Sequence, residues 1–286
     1  LQRMTLAGRG RVAYLMAMRL PFVNRPPRVS VVRLQGSIGI PARNGAAGLN
    51  DAALATALEK AFTKGKPVAV ALAINSPGGS PVQSSLIAAR IRRLAEKHEV
   101  PVHAFVEDVA ASGGYWLASA ADKIWADECS VVGSIGVISG GFGFQDFIAR
   151  HGIERRIHTA GASKSQLDMF RAEKPEDVER LKRLLDDMHR IFIAQVKSRR
   201  GERLAARDEV FSGEFWLARR AQDLGLIDGI AHLGPKMREV FGDKIRFQSF
   251  GARRPFLRRF GVSGEQIASD AIAAIEERAS FERFGL

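Results

Sequence analysis

Residues 107–116 read Glu107-Asp108-Val109-Ala110-Ala111-Ser112-Gly113-Gly114-Tyr115-Trp116. The apolar run Val102 to Val106 leads into them and reads as a buried strand, and Tyr115 to Asp122 reads as a helix. Ser112-Gly113-Gly114 therefore stands at a strand-to-helix junction. Free N–H groups at a helix start favour negative charge, and glycines let a substrate backbone come close. A nucleophilic serine belongs in such a place. Serine is also a preferred helix cap, and taken alone Ser112 fits that simpler role.

The neighbouring segments change the weighing. Residues 67–79 read Pro67-Val68-Ala69-Val70-Ala71-Leu72-Ala73-Ile74-Asn75-Ser76-Pro77-Gly78-Gly79, a buried strand running into a glycine turn. A helix starting near Pro81 comes next. Backbone N–H groups exposed at Gly78 and Gly79 are what an oxyanion hole needs. Downstream, Val131-Val132-Gly133-Ser134-Ile135-Gly136-Val137 supplies a second small-residue turn with a hydroxyl. Strands at Val29–Leu34, Val68–Ile74 and Val102–Val106 alternate with helices at Leu49–Phe62 and Ser84–Lys97. That alternation predicts βαβ units and a mostly parallel sheet. No internal repeat is visible.

Together these segments resemble the signal-peptide peptidase A family of serine proteases, in its short, single-repeat form, over residues 30 to 245 or so. The resemblance implies an α/β fold: a Clp/crotonase-like spiral of ββα and βαβ units with a mostly parallel sheet. It makes Ser112 the nucleophile. The family's general base is a lysine in a Gly-x-x-Lys segment, and Gly161-Ala162-Ser163-Lys164 fits, 52 residues after Ser112. It makes Ser134 the residue that positions Lys164, and the N–H groups of Gly79 and Gly113 the oxyanion donors. It implies apolar peptide substrates such as signal-peptide remnants, and a homo-oligomeric ring; no metal or nucleotide motif is visible, so no cofactor is expected.

Chemistry bears on the base independently. A serine hydroxyl is a weak nucleophile until a base takes its proton. The six histidines are His98, His103, His151, His158, His189 and His232. None lies in a small-residue turn; His158, at the end of an Ile153–His158 strand pattern, reads better as structural. Ser-Lys pairs are a known variant. Free lysine is protonated at neutral pH, so a lysine base has to be held in a dry, apolar site beside hydroxyl partners. Most lysines in a chain like this are instead solvated. A crotonase-fold acyl-CoA enzyme would use the same glycines but needs an acidic catalytic residue and leaves Lys164 idle. An inactive scaffold of the same fold is the non-enzyme alternative.

Composition frames these readings. With 286 residues, 46% hydrophobic and 26% charged, the chain is long enough for one large core or two modest domains, and its near-zero mean hydropathy argues against a multispan membrane protein. The one cysteine, Cys129, excludes an intrachain disulfide and reads as a small buried residue after an Ile124–Asp127 strand. No Cys/His cluster suggests a metal. The net charge is +12, concentrated at the N-terminus and in Arg253-Arg254-Pro255-Phe256-Leu257-Arg258-Arg259-Phe260. No nucleic-acid signature accompanies it, so the expected contact is a peripheral one with an anionic membrane surface. The apolar run Val12 to Met18 is interrupted by Arg19 and is too short to span. The expected organisation is a basic arm over residues 1–27, a Ser-Lys protease domain over 28–250, and a basic linker with a C-terminal amphipathic helix over 251–286. The helix is expected from the capping box at Ser263–Gln266. The expected location is the cytoplasm or the inner membrane surface. Glu176–Arg200 reads as a long amphipathic helix and Phe215–Leu224 as a shorter one ending at Gly225.

Overall fold

Arg28–Gln35 forms strand β1, and its burial fits a strand covered on both faces over most of its length. A computed structural model describes this and the rest of residues 26–39, 49–161, 163–251 and 278–286. Most of the N-terminal arm, the Arg253–Phe260 segment and the Ser263 capping box lie outside the described residues.

Helix α1 (Asp51–Thr63) starts where the Asn50 side chain accepts a hydrogen bond from the Ala53 N–H. Strand β2 (Ala69–Ser76) is buried at every position, as a central parallel strand must be. Helix α2 (Pro81–His98) has Ser80 as its cap, accepting from Gln83 N–H, and proline at its first position. Strand β3 (Val102–Ala111) leads into helix α3 (Gly113–Ser119), all of whose residues are buried. Strands β4 (Lys123–Ala126) and β5 (Val131–Gly133) come next, then the short helix α4 (Gln145–Arg150) and the long α5 (Pro175–Arg200). The chain continues through β6 (Phe215–Leu217), α6 (Ala218–Asp223), β7 (Gly229–Ile230), α7 (Leu233–Phe241) and β8 (Arg246–Phe250).

One eight-stranded sheet joins them in the order β6-β5-β3-β2-β1-β8, with β4 pairing β3 and β7 off that path. Every pairing is parallel except β5 with β6, so the expected α/β architecture with a mostly parallel sheet is present. Strand β3 is the pivot. Its first half, His103 to Val106, pairs with β4, and its second half, Val109 to Ala111, pairs with β5. A register shift between Ile74 and Ser76 of β2 separates the two halves. Such a bulge bends the strand and re-aims the residues beyond it. The buried Ser130 hydroxyl reaches the carbonyls of Val106 and Glu107 at this bend.

Three expectations need correcting. Ile153–His158 is not a strand; it runs as irregular chain in an excursion outside the sheet, exposed except for half-buried Ile157, and so lacks the covered face a strand would pack. Phe215–Leu224 is not one helix: Phe215–Leu217 pairs with the open edge of β5, and the helix begins at Ala218. Cys129 is exposed, held in a turn where the Asp127 carboxylate accepts its N–H. The long helix α5 stands as expected, but among its apolar residues only Phe192 and Val196, in its second half, are buried.

Candidate active site

Three loops converge at the carboxyl ends of β2, β3 and β5. The first is the turn after β2. Gly79 has φ +139°, and a Cβ there would meet the Ile38 carbonyl oxygen at 2.0 Å, so no other residue fits. Ile38 donates its N–H to Gly78 O and accepts from Ser80 N–H, which ties β1's continuation to this turn. The second loop is Ser112 itself. It has φ +51° and ψ −121°, a strained conformation for a residue with a side chain. The strain presents a hydroxyl at a sharp strand-to-helix bend. Ser112 occupies the cap position of α3 but makes no side-chain cap hydrogen bond, so capping does not explain it. Its N–H donates to Gly133 O at 2.8 Å.

That bond brings in the third loop. Ser134 also has positive φ, +53°, and its N–H donates to Glu214 O at 2.6 Å. Gly133, at φ +120°, lies under the Trp216 ring, which a Cβ would meet at 2.9 Å. Strand β6 thus clamps the Ser134 turn from its outer edge. Sequence reasoning missed this role; the aromatic content of Phe215-Trp216-Leu217 was its one available signal. It also missed His189 on α5, whose Nε2 lies 2.9 Å from Ile135 O, beside Ser134.

The site is half open. Ser112 and Ser134 are half-buried and Gly79 is exposed, while Gly113 is buried as the first residue of α3. The first N–H groups of a helix have no acceptor within it, so Gly113 can donate outward. Helix α3 and the end of α5 are tied together behind these loops. Trp116 stacks on Phe192 of α5 with centroids 4.7 Å apart. Arg199 donates to the carbonyls of Ser119 and Ala121, a cation placed where a helix ends negative. Arg200 pairs with Asp228 at 2.8 Å, both side chains nearly inaccessible. Burial alone would push the Asp228 carboxyl up; bonds from Arg200 and the Ile124 N–H hold it below the ordinary carboxylate range.

Lys164 is not brought to this group. It is exposed, and among the described residues no hydrogen bond joins it to Ser112 or Ser134. It lines a cleft of about 720 Å³ on the excursion after Ser134, with Phe142, Arg155, Asp168 and Met169. The excursion packs on itself: Phe144 lies beside Phe170, and Phe144 N–H donates to Met169 O. It leaves Ile138, Phe142, Phe147 and Ile153 more than half exposed. No group of three or more His, Cys, Asp or Glu among the described residues is placed to hold a metal. His158 is exposed on the same excursion.

Residues 95–237 match the pattern of Peptidase family S49, a range that includes Ser112, Ser134 and Lys164 and stops short of Gly79. The chain is 45% identical over 271 residues to a Brucella abortus (strain 2308) protein named Na(+)/H(+) antiporter NhaA, covering 90% of this chain and 37% of that protein. It is 31% identical over 220 residues to Protease 4 of Haemophilus influenzae, covering 74% of this chain and 34% of that one. It is 32% identical over 166 residues to the chloroplastic serine protease SPPA of Arabidopsis thaliana, covering 58% of this chain and 24% of that one. The chain thus spans little more than a third, at most, of these relatives.

Proposed function

Because the chain belongs to Peptidase family S49, we propose that it hydrolyses peptide bonds with Ser112 as nucleophile and Lys164 as general base. The observation that carries the reading is the meeting of a strained, uncapped serine with two glycine turns at one end of a parallel sheet. Ser112 Oγ attacks the peptide carbonyl carbon while Lys164 takes its proton. The oxyanion is held by the N–H groups of Gly79 and Gly113. The tetrahedral species collapses as Lys164 returns the proton to the leaving amine, and the acyl-enzyme remains on Ser112. Water, deprotonated by the same lysine, attacks the acyl carbon; the C–O bond to Ser112 breaks, Ser112 Oγ takes the proton back from Lys164, and the acid leaves. Ser134 orients Lys164. Residues 28–250 are the catalytic unit in this reading.

Lys164 has to be dried to act, and a single chain leaves it exposed. We therefore read the protein as a homo-oligomer in which the exposed apolar residues of the excursion pack on a neighbouring copy and complete the site. Apolar peptides, signal-peptide remnants among them, are the proposed substrates. The antiporter name belongs to a relative of which this chain matches 37%, and among the described residues no helix is long and apolar enough to cross a membrane. A location in the cytoplasm or on the inner membrane surface is the matching proposal.

A serine-directed fluorophosphonate tests the reading. It should label Ser112, and Ser112→Ala and Lys164→Ala should each abolish labelling. A chain that hydrolyses peptides yet labels elsewhere refutes the assignment, and an acyl-CoA enzyme or a scaffold would not label at all.

A further inference from the structure

The sheet has a second, smaller apolar surface that the catalytic reading leaves unused. Val109, Ala111 and Val131 are buried on the face opposite the main core, and what packs against them is the end of the chain, Phe281 and Phe284. These two residues come from a short helical turn over residues 278–282 and the bend after it, where Phe284 N–H donates to Phe281 O. Phe284 also meets Phe215 edge to face, with centroids 5.0 Å apart.

The position of this wedge is specific. Ala111 immediately precedes Ser112. Val131 begins β5, which ends at Gly133 next to Ser134, and Phe215 is the cross-strand partner of Gly133. Phe215 comes directly after Glu214, whose carbonyl accepts the Ser134 N–H. So two phenylalanines touch, at one remove, the strands that carry both candidate site serines. Strands β5 and β6 are three residues each, at the short end of strand lengths, so little backbone pairing holds this corner. The helices α1, α2 and α3 cover the other face, and α7 covers a different part of this one.

We propose that Phe281 and Phe284 are positioning residues of the hydrolytic site. The C-terminal segment braces the β3–β5–β6 corner from behind and holds the backbones of Ser112 and Ser134 in register. It does not touch substrate. The proposal rests on the serine reading above and deepens it. A displacement of about an ångström at a catalytic group can cost about 100-fold in rate, so a brace at one remove is worth an order of magnitude.

The test is the rate of fluorophosphonate labelling at Ser112, located by peptide mapping, in the full chain and in Phe284→Ala, Phe284→Tyr and a chain ending after Glu277. Thermal unfolding is recorded for each. Phe284→Ala should label about 10-fold more slowly while its sheet melts with the unaltered protein, and Phe284→Tyr should restore the rate. A synthetic peptide of residues 278–286 should restore labelling of the shortened chain. Unchanged labelling in Phe284→Ala overturns the brace. Faster labelling also overturns it, because the segment would then shield the serine. Slowing that tracks a lost thermal midpoint, with no recovery in Phe284→Tyr or with added peptide, reduces the role to general stability and overturns it too. If the unaltered protein does not label at Ser112, the serine reading fails and the brace fails with it.

Discussion

Gly78 and Ser112 meet across the ends of two neighbouring strands: a Cβ built on Gly78 would stand 2.9 Å from the Cβ of Ser112 and 2.8 Å from the Gly113 nitrogen. The turn proposed to bind the oxyanion and the proposed nucleophile are therefore one packed unit. Gly78→Ala should push them apart, and Gly78 already has φ +106°, where a side chain is strained. The expected losses are roughly 100-fold in peptidase activity and about 1–3 kcal/mol in stability, read by hydrolysis of an apolar peptide and by urea unfolding. Near-full activity in Gly78→Ala would separate the two loops.

Ser112→Ala and Lys164→Ala should each lower hydrolysis by about 1,000-fold or more, with no further loss when combined, because the pair acts as one unit. The check is the double variant measured beside the singles. Multiplying losses would mean that the two residues act independently and would reject the dyad.

Arg200, the last residue of α5, and Asp228, bonded to the Ile124 N–H of β4, form a buried pair with side-chain exposures of 2% and 7%. Asp228→Asn leaves the buried guanidinium without its counter-charge and should cost about 3 kcal/mol or more. The folded carboxyl titrates below its ordinary value, so its stabilisation is complete above the unfolded value of 3.8 and is lost as pH falls through the lower folded value. The Asp228→Asn protein should lack that acid step. Thermal midpoints compared at neutral and strongly acid pH would expose an equal dependence in both proteins, which is the contrary result.

His103 behaves in a related way from a different cause. Burial holds it below its ordinary 6.5, and its Nδ1 accepts the Trp125 indole N–H at 3.3 Å, a bond that protonation there would break. The unfolded chain takes up the proton first, so stability should fall as pH drops below 6.5 toward the depressed folded value. His103→Gln should flatten the curve in that window. A slope unchanged by the substitution would assign it to other groups.

The basic N-terminal arm and the Arg253–Phe260 segment should give a weak attraction to anionic vesicles. Each Lys or Arg near such a surface is worth about 1 kcal/mol, and salt screens it. In flotation, protein should leave the vesicles as salt is raised. Retention until detergent is added would point to an apolar anchor.

Much of this was legible locally. The strand-turn-helix units around Gly79 and Ser112 arise from apolar runs ending in glycine turns, and the starts of α1 and α2 arise from Asn50 and from Ser80-Pro81. These are short-range effects: a cap, a turn or a hydrophobic period needs only its own neighbours in the chain. The sequence by itself therefore determined the strand-turn-helix units around Gly79 and Ser112, the parallel α/β class and the candidate residues. Tertiary structure alone decided what those elements meet. Phe215-Trp216-Leu217 became a strand because β5 offered an edge to pair with, while Ile153–His158 stayed irregular and mostly exposed, with no covered face. Phe281 and Phe284 found Ala111 and Val131, and Lys164 stayed exposed on its excursion. Pairing and burial depend on residues far apart in the chain, and no local pattern encodes which distant surface will arrive.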